Sequence, residues 1–390
     1  MFNLLGGARK GARAVMALVA AAALSACDVD LNNINLPGGE KQSGAVNVAL
    51  LVPYGSASAG DQGLARSLEN AARLAAADLG EGKVNITVYN TAGQASTAAS
   101  MATQAVAAGA DIILGPLRSD AANAAAVAIS SSDVNVVSFS NNTSVAGGNL
   151  FVLGNTFENI ASRLMNYAGA QGRSRVVVVY PQTPVGQIAR SSIVKATQGT
   201  NVQIVGDGAF EFSQEGIVRA IPRIADTIKS SGATAVMLTS DSTGALPLLA
   251  QLLPEQGVSP SVTKYMGLTR WDVPQQTLSL PGLQGGWFTL TDPGPVAQFN
   301  SRYRSAHGTS PHPLAGLAYD GIAAIGALQA KKLAMTRGNL TQSSGFKGVN
   351  GVFRFKADGT NQRALAVAQV SNNQVKVIDP APKSFGFGGF

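Results

Sequence analysis

The sequence predicts an α/β fold of two lobes, in which each lobe is a parallel sheet packed between helices. Short apolar segments alternate with helical segments along most of the chain. Such alternation is typical of parallel strands joined by crossover helices. The alternation restarts after Phe157, so the chain contains two βα series of similar rhythm. Finally, about 364 of the 390 residues remain after a 26-residue leader, which is enough for two lobes of ordinary domain size.

The first series opens with Val46–Val52, a nearly continuous apolar run that predicts a buried strand and ends at Pro53. Residues 64–79 carry apolar side chains at helical spacing and predict an amphipathic helix. Residues 84–89 alternate apolar and polar side chains, which indicates a second strand. The series continues with alanine-rich helices at 96–108 and 121–130 and short apolar strands at 111–114 and 134–139.

The second series begins with a helix at 160–171 and the strand Arg175–Tyr180. This strand is the strongest strand signal in the chain because it contains four consecutive valines, whose branched side chains favour strands. An amphipathic helix is predicted at 217–230. The other helices of this series are predicted at 188–197 and 245–256, and its other strands at 202–205, 233–239 and 264–267.

The remaining residues are expected to complete both lobes. The chain crosses back toward the first lobe near Gly285–Phe288, and helices follow at 299–306 and 314–332. Segments 352–355 and 364–370 are expected to pair as antiparallel strands around a turn at Asp358-Gly359. The predicted boundaries place 45–157 and 287–345 in the first lobe, 158–286 and 346–380 in the second, and 381–390 in a disordered, glycine-rich tail.

The amino terminus has the form of a secretory leader. Three basic residues precede an apolar run from Ala14 to Leu24, which is too short to span a bilayer. Small residues then lead directly into Cys27, the only cysteine of the chain. A plain secretory leader with an incidental cysteine is one interpretation of this arrangement.

The segment LSAC at 24–27 also resembles the bacterial lipoprotein signal. That resemblance implies cleavage of a signal peptide comprising residues 1–26 and acylation of Cys27. The mature protein would then lie in the periplasm, tethered to the inner or outer membrane by its lipid anchor. Residues 27–44 are polar and without periodicity, so they predict a flexible tether between the lipid and the fold.

Composition and motifs exclude several classes of function. The formal net charge is +7, of which the leader contributes three, leaving about +4 for the mature chain. No basic stripe with interleaved aromatic residues is present, which argues against nucleic acid as a partner. Nucleophile-elbow and phosphate-loop motifs are also absent, and His307 and His312 lack neighbouring cysteines or clustered carboxylates. We therefore predict a non-catalytic protein without a cofactor or a metal.

Several segments at predicted strand ends resemble one known family. They include VALLVPYGSASAGDQG, DIILGPLRSDAANAAA and RVVVVYPQTPVGQIARS, and the resemblance extends from Val48 to Val370. The family is that of periplasmic binding proteins of the Leu/Ile/Val type. It implies a two-lobed fold with a ligand in the crevice between the lobes, at the carboxyl ends of the parallel strands.

Four stretches resemble a narrower branch, the lipoproteins called penicillin-binding-protein activators. They are SFSNNTSVAGGNLFVLG, GLTRWDVP, GGWFTLTDPGPVAQFNSRYRSAHGTSP and FKGVNGVFRFKADGTNQRALAV. This resemblance implies an accessory protein of peptidoglycan synthesis, with a peptidoglycan synthase or a cell-wall fragment as its partner. The alternative is a solute-binding receptor of a branched-chain amino acid ABC transporter, whose partners are a small-molecule ligand and the transporter.

The resemblance to Leu/Ile/Val-type proteins also implies ligand-binding positions. Ser119 matches the serine that holds the amino-acid carboxylate at a helix N-terminus. The alternative is that Ser119 or Asp120 only caps the helix. Asn142 falls near the position of a ligand-binding threonine, and its neighbours Asn141 and Thr143 are equally polar candidates.

Two positions depart from the pattern of amino-acid binders. Thr269, a further ligand-binding candidate, stands where those proteins have an acidic group for the ligand ammonium, and Val185 stands where they have an aromatic wall. A neutral hydroxyl removes the charge-assisted hydrogen bond that an ammonium needs. The nearby Arg118 and Arg270 either favour a more acidic ligand or are solvated.

Overall fold

The computed structural model describes residues 44–386. Within this range, parallel strands alternate with helices and form two sheets, as the sequence predicts. The leader, Cys27 and the tether up to residue 43 lie outside this range, as do residues 387–390. Helices cover both faces of each sheet, so the two-lobed α/β fold class is confirmed. No helix within 44–386 has both the length and the hydropathy needed to cross a bilayer.

The elements have the following bounds. The helices are α1 (Asp61–Leu79), α2 (Ala95–Ala107), α3 (Ser119–Ala128), α4 (Phe157–Ala170), α5 (Pro184–Ala196), α6 (Gln214–Ser230), α7 (Leu246–Glu255), α8 (Pro293–His307), α9 (Ala315–Ala330) and α10 (Arg337–Leu340). The strands are β1 (Val46–Val52), β2 (Val84–Asn90), β3 (Ile112–Leu114), β4 (Asn135–Ser138), β5 (Leu150–Val152), β6 (Arg175–Pro181), β7 (Gln203–Phe210), β8 (Ala235–Leu238), β9 (Lys264–Gly267), β10 (Trp287–Leu290), β11 (Phe346–Gly348), β12 (Gly351–Phe355), β13 (Asn361–Arg363), β14 (Ala366–Ser371) and β15 (Gln374–Asp379).

The first sheet has the strand order β2-β1-β3-β4-β5, and all of its pairs are parallel. Its interior strand β1 is buried on both faces, because a parallel sheet of this kind is covered on both sides. Val48 and Leu50 pack with α1 and α9, whereas Ala49 and Leu51 pack with α2 and α3. The continuous apolar run in the sequence therefore reflects two separate cores.

The second sheet has the order β15-β14-β10-β9-β8-β6-β7. β6 to β10 run parallel, while β14 and β15 are added as antiparallel edge strands. Alternate valines of β6 again serve two cores: Val177 and Val179 pack with α6 and α7, and Val176 and Val178 pack with α4 and α5.

Two predicted lobe boundaries differ from the structure. Trp287 pairs with Met266 of β9, so β10 belongs to the second sheet and the chain crosses to the first lobe only after Leu290. In contrast, Phe346, Phe353 and Phe355 pack in the core of the first lobe, so β11–β13 belong there. Neither assignment follows from local periodicity, because a short strand has the same pattern in either sheet.

The carboxyl-terminal pairing also differs from the prediction. β12 pairs with β13 rather than with β14, while β14 lies between β10 and β15. The prediction of a disordered tail from residue 381 is wrong for 381–386. Ala381 is buried in the second-lobe core, Lys383 pairs with Asp292, and the Phe385 ring centroid lies 4.6 Å from the Arg354 guanidinium carbon.

Candidate functional site

The carboxyl ends of parallel strands from both sheets border one cleft of about 1000 Å³. The first sheet contributes the loops that follow β3 and β4, and the second contributes those that follow β8, β9 and β10. Both lobes therefore supply side chains to the same space, at the edge where parallel sheets bind ligands. The loops place Ser119, Asn141 and Asn142 on the first-lobe side and Ser242, Thr269 and Thr291 on the second-lobe side.

Of the ligand-binding candidates from the sequence, all but Thr143 line this cleft. Ser119 is the first residue of α3, and the N-cap residue Arg118 makes no side-chain cap. The Asp120 carboxylate accepts a hydrogen bond of 2.8 Å from the backbone N–H of Ala121. Asp120, rather than Ser119, therefore contacts a free N–H group at this end of the helix. The Ser119 hydroxyl has no hydrogen-bond partner within residues 44–386.

The three other lining candidates are partly engaged with the protein itself. The Asn142 side-chain carbonyl accepts hydrogen bonds from the Ser144 backbone N–H at 3.0 Å and from its hydroxyl at 2.8 Å. The Thr269 hydroxyl donates to the Ser240 carbonyl oxygen at 3.2 Å. Asn141 is exposed at the same rim. Asn142 and Thr269 thus shape the two loops as well as facing the cleft.

Both arginines noted in the sequence line the cleft, and each has a carboxylate partner. Arg118 Nη2 lies 2.7 Å from Asp61 Oδ2. Hydrogen bonds from Ser56 and from Arg118 lower the pKa of Asp61, although burial opposes them. Arg270 binds Asp272 with both ends of its guanidinium, at 2.6 and 2.5 Å. Neither guanidinium is simply solvated.

The aromatic-wall position does not contribute to the cleft. Val185 lies in the first turn of α5, is 62% exposed and is not a lining residue. Phe139 and Phe299, both from the first lobe, supply aromatic surface instead. Nothing in the sequence singled them out, because both also fit the pattern of ordinary core residues.

Several polar lining residues were missed by sequence reasoning. They are Asn155, Asp241, Ser242, Thr291, Asn300 and Asn350. Asn155, Asp241, Ser242 and Thr291 follow β5, β8 and β10 within a few residues, so their position after parallel strands was the available signal. Asn300 and Asn350 lie in a helix and in a hairpin turn, and only tertiary packing brings them to the cleft.

A buried ion pair lies beside the cleft, where the chain passes between the lobes. Arg363 lines the cleft, yet its side chain and that of Asp320 are fully buried, with Nη1 and Oδ2 2.9 Å apart. Arg363 also donates to the Leu153 carbonyl oxygen from Nε and Nη2 at 2.9 and 2.7 Å. Burial raises the pKa of Asp320, while Arg363 and both N–H groups of Asn350 oppose this rise. The pair thus joins α9, β13 and the first crossover.

His312 belongs to a proline-rich loop that forms part of the first-lobe wall. Its backbone N–H donates to the Ser67 hydroxyl at 2.7 Å, and its Nδ1 accepts from the Leu314 backbone N–H at 3.1 Å. Burial lowers the pKa of His312. Because Nδ1 accepts the Leu314 N–H, the neutral ring in this geometry carries its proton on Nε2. Among the described residues, no group of three His, Cys, Asp or Glu side chains is placed to hold a metal.

Comparison with protein families decides the assignment of the fold. A family model described as periplasmic binding protein matches residues 45–374, nearly the whole described range. The chain belongs to the periplasmic binding protein family. Membership of this family implies a periplasmic location and a solute-binding architecture. Comparison of the sequence with curated proteins finds no match.

Solved structures have the same fold at low sequence identity. A protein named as a branched-chain amino acid ABC transporter from Rhodospirillum rubrum aligns with a TM-score of 0.72 and 18% identity, over 86% of this chain and all of that one. A substrate-binding protein of Desulfitobacterium hafniense in complex with Leu aligns with a TM-score of 0.64 and 18% identity, over 86% of this chain and 100% of that one. A solute-binding protein of Rhodopseudomonas palustris in complex with benzoate aligns with a TM-score of 0.58 and 16% identity, over 89% of this chain and 99% of that one. At such identities the likeness establishes the fold alone.

Proposed function

We propose that this protein is a non-catalytic solute-binding receptor that delivers a small molecule to an ABC transporter. The observation that carries the proposal is the cleft of about 1000 Å³ between the carboxyl edges of two parallel sheets. Related folds hold leucine or benzoate and are described as ABC transporter components. Convergent polar groups on both sides of an open cleft suit a ligand that is enclosed when the lobes close.

Native mass spectrometry of protein purified without denaturant tests this function. A receptor is expected to retain a small molecule, and that molecule should raise the melting temperature because it binds only the folded form. Ser119→Ala should weaken binding of the retained molecule, whereas Ser130→Ala, beyond the other end of α3, should not. Absence of any bound small molecule, together with no thermal shift from a broad solute library, would contradict the proposal.

A second candidate function is an accessory role in peptidoglycan synthesis, as the penicillin-binding-protein-activator resemblance implies. It is favoured by the absence of two parts of an amino-acid pocket, since Val185 lies outside the cleft and Thr269 is neutral. The same purification separates the two functions. Specific retention of a peptidoglycan synthase or a cell-wall fragment, without a transported solute, would support the accessory role.

Lipid anchoring at Cys27 is a further part of the proposal, and it rests on the sequence LSAC at 24–27. Several acyl chains hold a protein firmly on a membrane, whereas a processed chain without them has no such anchor. We expect Cys27→Ser to move the processed protein from the membrane to the soluble fraction. Tight membrane retention of that processed variant would refute the anchor.

A further inference from the structure

The charges around the cleft can be counted from the ion pairs. Three arginines line it, and each is matched by its own aspartate: Arg118 by Asp61, Arg270 by Asp272 and Arg363 by Asp320. The fourth basic side chain of the lining is His312, whose environment favours the neutral ring. A ligand carboxylate therefore finds no uncommitted cation among the described lining residues.

Two carboxylates of the lining have no such partner. Asp120 lies at the start of α3 in the first lobe, and Asp241 follows β8 in the second. Asp120 accepts only from the Ala121 backbone, and Asp241 only from the backbone N–H and hydroxyl of Thr243, at 3.1 and 3.0 Å. Within residues 44–386, no Lys, Arg or His nitrogen lies within 4.0 Å of either carboxylate. With each arginine counted against its own aspartate, Asp120 and Asp241 are the two lining charges left unpaired, although the whole chain is basic.

A third observation points to a ligand that donates hydrogen bonds. The side-chain carbonyl oxygen of Asn155, a lining residue from the first crossover, is buried and has no hydrogen-bond partner in the described part of the chain. A buried acceptor without a donor is costly unless a ligand or water satisfies it. The two unpaired charged groups of the lining are carboxylates, and this amide oxygen is a third acceptor beside them. The positive end of α3 is moreover already faced by Asp120, which leaves less attraction for an anion.

We propose that the ligand is an organic cation whose ammonium group or groups are held by Asp120 and Asp241 from opposite lobes. This inference rests on the receptor function proposed above and specifies its ligand class. Two like charges on facing lobes oppose closure, and a cation between them removes the repulsion and forms charge-assisted hydrogen bonds with both. Binding of a cation is therefore coupled to closure, whereas an organic anion is repelled by the two unpaired carboxylates.

The test measures thermal shift and calorimetric affinity with four probes: 1,4-diaminobutane, L-lysine, L-leucine and benzoate. We expect the diamine and lysine to bind, with affinity falling as salt is raised, and benzoate not to bind. Asp120→Asn and Asp241→Asn keep an acceptor for the loop contacts but remove the charge, so each should weaken diamine binding about tenfold or more. Asp133→Asn, an exposed residue before β4 and outside the lining, is the matched control and should leave binding unchanged.

The outcomes separate this inference from the function on which it rests. Binding of benzoate or leucine but of neither amine, with affinity unchanged or improved in Asp241→Asn, would overturn the cationic ligand and leave the receptor function standing. Equal diamine affinity in all three variants would also overturn it, since the carboxylates would then play no part. If the native protein retains no small molecule and no solute of any charge binds, the receptor function itself fails.

Discussion

At the scale of single residues, one imidazole in the wall of the cleft makes a hydrogen bond that requires an unprotonated ring nitrogen. His312 Nδ1 accepts the Leu314 N–H, an interaction that a proton on Nδ1 would abolish. Two ionisable residues of α8 lie close to this loop: Tyr303, whose hydroxyl lies 3.2 Å from the Ser67 hydroxyl, and His307, whose ring is tilted by 52° against that of Tyr303 at a centroid distance of 4.7 Å. None of these contacts supplies a carboxylate that would favour the imidazolium.

We predict that His312 makes the protein less stable in acid. The pKa of His312 is lower in the folded than in the unfolded chain. Its contribution to the free energy of unfolding is therefore complete above the unfolded pKa of 6.5 and is lost as the pH falls below that value. His312→Asn places a non-titrating acceptor near Nδ1. Urea unfolding at pH 7.5 and pH 5.0 should show a smaller acid-induced loss of stability in this variant than in the parent chain. The same loss in both proteins would show that His312 is not responsible.

At the scale of elements, close approach between a strand end and the following helix fixes the second-lobe side of the fold. A Cβ on Gly186, in the first turn of α5, would lie 2.0 Å from the Pro181 carbonyl oxygen at the end of β6. That contact involves rigid backbone, so the helix would have to move. Gly63, in the first turn of α1, is exposed and has no atom within 4 Å of its Cβ position.

We predict opposite effects for alanine at these two glycines. Gly186→Ala should destabilise the protein by about 1–3 kcal/mol because it forces α5 away from β6. Gly63→Ala should be neutral or stabilise the protein by up to about 1 kcal/mol, since alanine is the better helix former. Chemical denaturation of both variants measures the difference. A Gly186→Ala protein as stable as the parent would show that α5 can shift freely.

At the scale of the whole molecule, buried polar contacts join the lobes beside the crossovers. Asn361 donates to the carbonyl oxygens of Val152 and Gly154 at 2.8 and 2.9 Å, and its own carbonyl accepts from Asn159 at 2.6 Å. These bonds link β13 to the first crossover and to α4. Together with the Arg363–Asp320 pair, they form a hydrogen-bonded polar cluster beside the crossovers between the two lobes.

We predict that removing one partner of this cluster destabilises the molecule strongly. Arg363→Met leaves the Asp320 carboxylate buried without its cation, and loss of one partner of a buried pair costs about 3–5 kcal/mol. Arg219→Met is the control: it removes an ion pair with Glu211 whose side chains are 70% and 63% exposed, and such pairs contribute about 1 kcal/mol or less. Equal melting temperatures for the two variants would contradict this role of the buried cluster.

Much of the architecture could be predicted from local sequence. The valine run of β6 and the helical spacing of α6 specify their elements, because strand and helix periodicities differ and turn residues separate them. The parallel arrangement then places Ser119 and Thr269 at strand ends, and both line the cleft. The assignment of β10 and of β11–β13 to a lobe could not be predicted, since it depends on pairing between segments distant in sequence.

By itself, the sequence determined the alternating elements, the two βα series and the candidate residues after strands β3, β4 and β9, because these features depend on neighbouring residues. Only the tertiary structure decided which charges remain free in the cleft. Arg118 is neutralised by Asp61, 57 residues earlier, and Arg363 by Asp320, 43 residues earlier. Ion pairing depends on distance in space and on burial, neither of which is encoded by spacing along the chain.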